Sequence, residues 1–210
     1  MNNSAKFIVF EGIDGAGKST QIRLLAEALE KRGIKTSQSA EPTSYPSGRA
    51  IRDVLAGRVT VSSDELAVMF AADRANHNTN PDGGINCLLE SGITAISDRY
   101  YYSSMAYQGV QIGLERVMQL NLENPDIRRP DLCIFLDLEP RQSLDRIESR
   151  HESTEIFETY EYLDKTRKTF FNVIDTMIAR GENIVCIDAS RSVDDIASDV
   201  LDAALKLWDC

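Results

Sequence analysis

The chain has 210 residues and a formal charge of −10, from 23 basic and 33 acidic side chains, with 42% hydrophobic and 27% charged residues. That length suits one folded domain, 1–210, with a core that needs no disulfide or metal staple. So acidic a chain lacks the clustered Lys and Arg that hold a polyanion or an anionic bilayer, which excludes nucleic acid and membrane surface as partners and leaves any phosphate to a few focused groups.

Residues 6–10 (KFIVF) read as a buried strand, followed by a glycine-rich turn and a helix over 18–32 with Ile22, Leu25, Ala26 and Leu29 on one face. Gly33 closes that helix. A weaker strand is expected at 34–40, a loop at 42–48 and a short helix at 49–56. Ser62 and Ser63 before Asp64 and Glu65 mark the start of a helix running to 78. Pro81 is expected to open another, ending near 91–92. Residues 93–97 (ITAIS) form a third strand, and a tyrosine-rich segment follows it. A helix is expected at 114–122, a fourth strand at 132–136 (LCIFL), and a helix from Pro140 to 150. After a polar stretch at 151–155, a long helix covers 157–180, closed by Gly181. A fifth strand (NIVCID, 183–188) and a helix at 193–208 complete the chain. Apolar strands alternating with helices predict an α/β fold, a five-stranded parallel sheet covered by helices on both faces. Ligands then gather at the carboxyl ends of the strands.

The chain opens without a basic stretch and apolar run, and no segment has the roughly 20 apolar residues that cross a bilayer. Cys87, Cys133, Cys186 and Cys210 form no C-x-x-C pair and have no histidine nearby. Reduced thiols in a cytoplasmic protein are expected, with Cys133 and Cys186 buried in strands.

Residues 12–19 read G-I-D-G-A-G-K-S, a complete G-x-x-x-x-G-K-[ST] between strand and helix. Such a loop curls its N–H groups around phosphate oxygens, and the following helix adds its positive end. Lys18 is placed to reach the β- and γ-phosphates and Ser19 to ligate Mg²⁺. Gly12, Ile13, Asp14, Gly15, Ala16, Gly17, Lys18, Ser19 and Thr20 are therefore the expected cradle for ATP. No N-K-x-D guanine motif follows, nor a D-x-x-G after a later strand. That disfavours a switch GTPase and leaves a kinase acting on a small acceptor. Asp98-Arg99-Tyr100 sits at the end of the third strand, where Asp98 suits a metal and Arg99 an acceptor phosphate. Glu41-Pro42 alone is only a turn signal. Phe70 and Arg74 share a helix face, which alone reads as core and solvated rim, or as a platform for a base.

Together these segments resemble the thymidylate kinase family. The stretch 7–21 (FIVFEGIDGAGKSTQ), Glu41-Pro42, Phe70-Ala-Ala-Asp-Arg74, Asp98-Arg99-Tyr100, 103–109 (SSMAYQG) and Pro130-Asp131 occur in the family's order across nearly the whole chain. The resemblance implies transfer of the ATP γ-phosphoryl group to dTMP with Mg²⁺, on the five-stranded nucleoside monophosphate kinase sheet, in a homodimer. It implies that Phe70 stacks on thymine, Arg74 meets its O4 edge, Ser104 hydrogen-bonds the base, and Arg99 binds the dTMP phosphate. Tyr107 would pack against the deoxyribose with Gln108 nearby, and Asp14 would approach the sugar hydroxyl and the metal. Glu41 belongs to the same acceptor site.

Two positions depart from the pattern. Many relatives carry arginine before Glu-Pro, where this chain has Ala40, and Arg49 or Arg52 could stand in. One subgroup carries a P-loop arginine where this chain has Gly15, so the lid, about 146–157, must supply the cation for the transferring group. The candidates are Arg150 and then Arg146. Two rival readings stay open at this stage: a deoxynucleoside or dUMP-preferring kinase, and a non-catalytic nucleotide-binding protein. If Arg150 acts in the transition state, Arg150→Ala lowers kcat by about 100-fold or more with little change in substrate binding. Steady-state kinetics check this, and an unchanged kcat removes Arg150 from the mechanism.

Overall fold

The computed structural model describes residues 4–149 and 159–209. Five strands, β1 (Phe7–Glu11), β2 (Thr36–Ala40), β3 (Thr94–Asp98), β4 (Leu132–Asp137) and β5 (Ile184–Asp188), form one all-parallel sheet in the order β2-β3-β1-β4-β5. The expected α/β architecture is thus present.

The period of two along each strand divides the core. Phe7, Val9, Ala95, Cys133 and Phe135 point to one face. There they meet α5 (Tyr101–Tyr107), α7 (Leu114–Leu122) and α9 (Tyr160–Ala179). Ile8, Phe10, Ile96, Ile134 and Leu136 point to the other, against α1 (Lys18–Glu30) and α10 (Val193–Leu205). The middle strands are buried on both sides, which is why they read as unbroken apolar runs.

Local signals set several boundaries. The capping box at Ser62 forms: its Oγ accepts from Glu65 N–H at 3.2 Å and Glu65 Oε2 accepts from Ser62 N–H at 2.7 Å. It opens α3 (Ser63–Thr79). Pro46 rather than Arg49 opens α2 (Pro46–Leu55), with proline in the first turn. Pro81 does not open a helix. Gly83, at φ 88°, forms a turn there, and α4 (Ile85–Glu90) begins after Gly84.

Two helices lie where only a tyrosine-rich segment was read, α5 and the short α6 (Gly109–Ile112). The expected burial of Cys186 is also corrected. It is exposed, because β5 is an edge strand, while Cys133 in β4 is buried. The remaining helix, α8 (Pro140–Ser149), leads toward the lid segment. Most of that segment lies outside the described residues. Among the described residues, no helix is long and apolar enough to cross a membrane.

Gly12 shows how tightly the first loop is built into the sheet. Its φ is 142°, and a Cβ there would lie 2.6 Å from the carbonyl oxygen of Leu136 in β4. Gly12→Ala therefore lowers stability by about 3 kcal/mol through backbone strain and displacement of β4. Urea unfolding measures it, and an unchanged midpoint contradicts the contact.

Candidate active site

Parallel pairing of β1 with β3 sets Phe10 opposite Asp98, so the glycine-rich loop and the Asp98-Arg99 turn leave the sheet side by side. In the loop, Gly15 and Gly17 take left-handed conformations, at φ 75° and 91°. Lys18 is buried and folds back, its Nζ donating to the carbonyls of Gly12 at 3.1 Å and Ile13 at 3.2 Å. Burial, and then the Arg99 charge, lower its pKa against the pull of Asp98, Asp14 and Glu11. Ser19 Oγ donates to Asp98 Oδ2 at 3.2 Å. Asp98 Oδ1 is buried and has no hydrogen-bond partner among the described residues.

Arg99 is held from three sides. Its Nη2 donates to Asp14 Oδ1 at 2.5 Å, its Nη1 donates to Ser103 Oγ at 3.1 Å, and its guanidinium carbon lies 5.5 Å from the centre of the Tyr107 ring. Burial would raise the pKa of Asp14, but the Arg99 and Lys18 charges outweigh it and hold the carboxyl below its usual value. The backbone of Arg99 is left-handed, at φ 69°, although it carries a side chain. Such a conformation costs about 1–3 kcal/mol and persists only where surrounding contacts enforce it.

Glu11 does much of that enforcing. Its Oε1 accepts from the N–H groups of Tyr100 at 2.9 Å and Ser103 at 3.1 Å, and its Oε2 accepts from Ser103 Oγ at 2.7 Å. A buried carboxylate thus fixes both the turn and the start of α5. The apolar pattern ends the first strand at Phe10 and gives Glu11 no role. The available signal was a lone acid ending an apolar strand.

Beside this turn lies a cavity of about 350 Å³. Asp14, Glu41, Phe70, Arg74, Arg99, Ser104, Tyr107 and Gln108 all line it. These are the eight residues expected at the acceptor site. Leu55, Leu66, Gln111 and Tyr162 also line it, four residues to which the sequence alone assigns no site role. Tyr162 lies on α9, far along the chain, with its ring 6.4 Å from that of Tyr107.

Phe70 and Arg74 exchange the places expected of core and rim. Phe70 is only half-buried, whereas Arg74 is 1% exposed. Arg74 Nε and Nη2 meet Glu41 Oε2 at 2.8 and 2.7 Å, Nη2 also donates to Ser104 Oγ at 3.2 Å, and Nη1 donates to Asn121 Oδ1. His77 Nδ1 lies 2.9 Å from the other oxygen of Glu41. Asp73 anchors the loop after β2, accepting from Thr43 N–H at 2.7 Å and from the hydroxyls of Thr43 and Ser47 at 2.6 Å each.

The structure also locates the other expected cations. Arg49 donates to the carbonyl of Ser44 and Arg52 to those of Thr43 and Pro42, and neither lines the cavity. Arg146 reaches the carbonyls of Ala189 at 2.9 Å and Gly15 at 3.5 Å, on the outer side of the phosphate loop. A side chain at Gly15 would meet the Ser143 carbonyl oxygen at 2.8 Å, so the loop has no room for one while α8 stays in place. Arg150 lies outside the described residues.

A family model described as thymidylate kinase matches residues 10–200. The chain belongs to the thymidylate kinase family. It is 38% identical to a thymidylate kinase of Desulfotalea psychrophila over 95% of this chain and 94% of that one. It is 37% identical to a "Probable thymidylate kinase" of Thermococcus gammatolerans, over 93% of each chain. A thymidylate kinase of Leptospira borgpetersenii is 35% identical, over 95% of this chain and 93% of that one. The glycine-rich loop, the Asp98-Arg99 turn and the residues lining the cavity all fall within the matched range.

Glu11 yields a test of the turn. Burial raises its pKa above the ordinary 4.5, opposed by the Arg99 charge and the hydrogen bonds of Ser103 and Tyr100. The folded protein therefore holds this proton more tightly than the unfolded chain. The stabilisation linked to it is full below 4.5 and is lost as pH rises through the raised value. Glu11→Ala orphans the buried Tyr100 N–H, leaves the Ser103 N–H with the Tyr100 carbonyl alone at 3.2 Å, and destabilises by about 2 kcal/mol. Glu11→Gln keeps one acceptor oxygen and does not ionise. It costs less than half as much, and its stability relative to wild type rises with pH across that window. Urea unfolding at several pH values checks both.

Proposed function

We propose that this chain transfers the γ-phosphoryl group of ATP to dTMP, giving dTDP and ADP. The observation that carries the reading is the continuity of the cavity: one end meets Asp14 and Arg99 beside the glycine-rich loop, and the other meets Phe70, Arg74 and Ser104. Its volume, about 350 Å³, suits a mononucleotide. In this reading the acceptor phosphate lies on Arg99 and the thymine lies on Phe70. Ser104 hydrogen-bonds the base, Arg74 faces its O4 edge, and Glu41 holds Arg74. Tyr107 packs against the deoxyribose with Gln108 alongside, while Asp14 approaches the sugar hydroxyl.

The attacking atom is a phosphate oxygen already ionised at neutral pH, so no strong general base is needed. Catalysis is alignment and charge stabilisation. Residues 12–20 hold the ATP phosphates with their N–H groups. Lys18 exchanges its two loop carbonyls for phosphate oxygens. Arg99 aligns the acceptor, and its strained backbone fixes the direction of approach. Arg150, with Arg146, is proposed to serve the transferring group from the lid, whose closure excludes water.

Ser19 and Asp98 suit Mg²⁺: a hydroxyl and a carboxylate 3.2 Å apart, with one buried carboxylate oxygen unpartnered among the described residues. Mg²⁺ is usually held by one or two carboxylates together with substrate phosphates. When bound it would offset negative charge on the phosphates. A single domain, a homodimer and a cytoplasmic location complete the proposal.

An ADP-release assay across the common nucleoside monophosphates and thymidine tests the reading. Turnover with dTMP is expected. Turnover with thymidine but not dTMP indicates a nucleoside kinase, a preference for dUMP indicates the other acceptor, and tight ATP binding without turnover indicates a binding protein. Arg99→Ala is expected to lower kcat/KM for dTMP by about 100-fold while ATP binding survives. Equal loss of both contradicts the assignment of Arg99 to the acceptor.

A further inference from the structure

Arg74 offers five N–H groups, and its neighbours account for four. The Nε–H and one Nη2 N–H meet Glu41 Oε2 at 2.8 and 2.7 Å, and the second Nη2 N–H meets Ser104 Oγ at 3.2 Å. One Nη1 N–H meets Asn121 Oδ1. One Nη1 N–H is left without a partner among the described residues, and Arg74 lines the cavity. Asn121 does not line it. It sits on α7, 1% exposed, behind the guanidinium.

We propose that Asn121 is a positioning residue for base selection: by occupying one Nη1 N–H of Arg74, it leaves one donor, in a fixed direction, for a pyrimidine carbonyl at position 4. The proposal rests on the reading of the cavity as the dTMP site and names what sets its selectivity.

The amide of Asn121 cannot present its other end. Its Nδ2 donates to the carbonyl of Val117 at 2.8 Å, so Oδ1 faces Arg74. A flip would oppose an N–H to the guanidinium and an oxygen to the carbonyl. Glu41 is held in turn by His77 at 2.9 Å, and the Tyr100 ring lies 5.1 Å from the guanidinium carbon. The guanidinium is thus fixed along its edges and over its face. The remaining donor matches the O4 acceptor of thymine and of uracil. Cytosine carries an amino group there, which opposes donor to donor and leaves a buried polar group unpaired.

Without the Asn121 oxygen, Arg74 keeps its ion pair with Glu41, but its Nη1 no longer has a set direction. The loss falls on discrimination between a carbonyl and an amino group at position 4. The phosphoryl transfer groups, on the far side of the cavity, are untouched.

The test compares wild type with Asn121→Leu, which keeps the volume and removes the acceptor. KM and kcat for dTMP are measured, with the binding of dTMP, dUMP and dCMP by calorimetry. Expected is a weakening of dTMP and dUMP of about 10-fold each, with dCMP unchanged or improved, and with kcat for dTMP and KM for ATP unchanged. An unaltered dTMP-to-dCMP ratio, or equal weakening of all three nucleotides, overturns the proposal. If Asn121→Leu does not fold, Asn121→Ser, which stops short of Arg74, is read in the same way. Failure of both to fold assigns Asn121 to structure and also overturns it. A wild-type protein that neither binds nor phosphorylates dTMP sinks the reading of the site itself. One that does both, with variants of unshifted ratio, sinks only the role of Asn121.

Discussion

The parallel pairing of β1 with β3 controls everything at the carboxyl edge of the sheet. Phe10 stands opposite Asp98, so the loop from Gly12 to Ser19 and the turn through Arg99 start from neighbouring points. The Arg99 N–H then donates to the carbonyl of Phe10 at 2.9 Å, tying the turn back to β1. Glu11, the last residue of β1, gathers the N–H groups of Tyr100 and Ser103. Together these bonds offset the left-handed strain at Arg99. The same bonds aim its guanidinium across the mouth of the phosphate loop. A slip of one residue between β1 and β3 would turn Glu11 to the opposite face and undo the arrangement.

This constraint also explains how so acidic a chain handles phosphate. The positive groups at the site are few, but they are desolvated and directed. Lys18 and Arg99 flank the Asp14 carboxylate, at 3.9 and 2.5 Å, so without phosphate each cation has a partner. Several acids that contribute to the charge of −10 are consumed internally. Glu11 is met by backbone N–H groups, Glu41 by Arg74, and Asp73 by Thr43 and Ser47. Net charge therefore describes the outer surface poorly as a guide to the field inside the cavity, where short distances in low dielectric dominate.

What was legible in the sequence follows from what leaves a local trace. The glycine loop requires left-handed backbone, so its residues are restricted and readable. Buried parallel strands show as apolar runs, and a serine followed three residues later by glutamate announces α3. Helix α5 left no such trace. Tyr101 to Ala106 are all buried, so the helix has no polar face and no period of 3.6 to detect. The edge strand β5 looked as apolar as β4, yet it has a neighbour on one side only, and Cys186 is exposed. Periodicity also could not rank Phe70 against Arg74. Which of the two is buried depends on Glu41, Ser104 and Asn121, all distant in sequence. Glu11, His77 and Asn121 escaped for the same reason, since their significance lies in their partners.

The buried network around Arg74 is hard to justify by stability. Desolvating a guanidinium and a carboxylate costs several kcal/mol, roughly what their attraction returns, and apolar residues of similar volume often serve as well. Here the pair is embedded in further polar groups, with His77 on one side of Glu41 and Asn121 beyond Arg74. Each added partner removes a freedom of rotation rather than adding a large energy. An apolar cluster would fill the same space with no direction in it. A guanidinium clamped on four of its five N–H groups carries a donor whose position is fixed before any ligand arrives, and preorganisation of that kind lets a cavity wall distinguish a carbonyl from an amine.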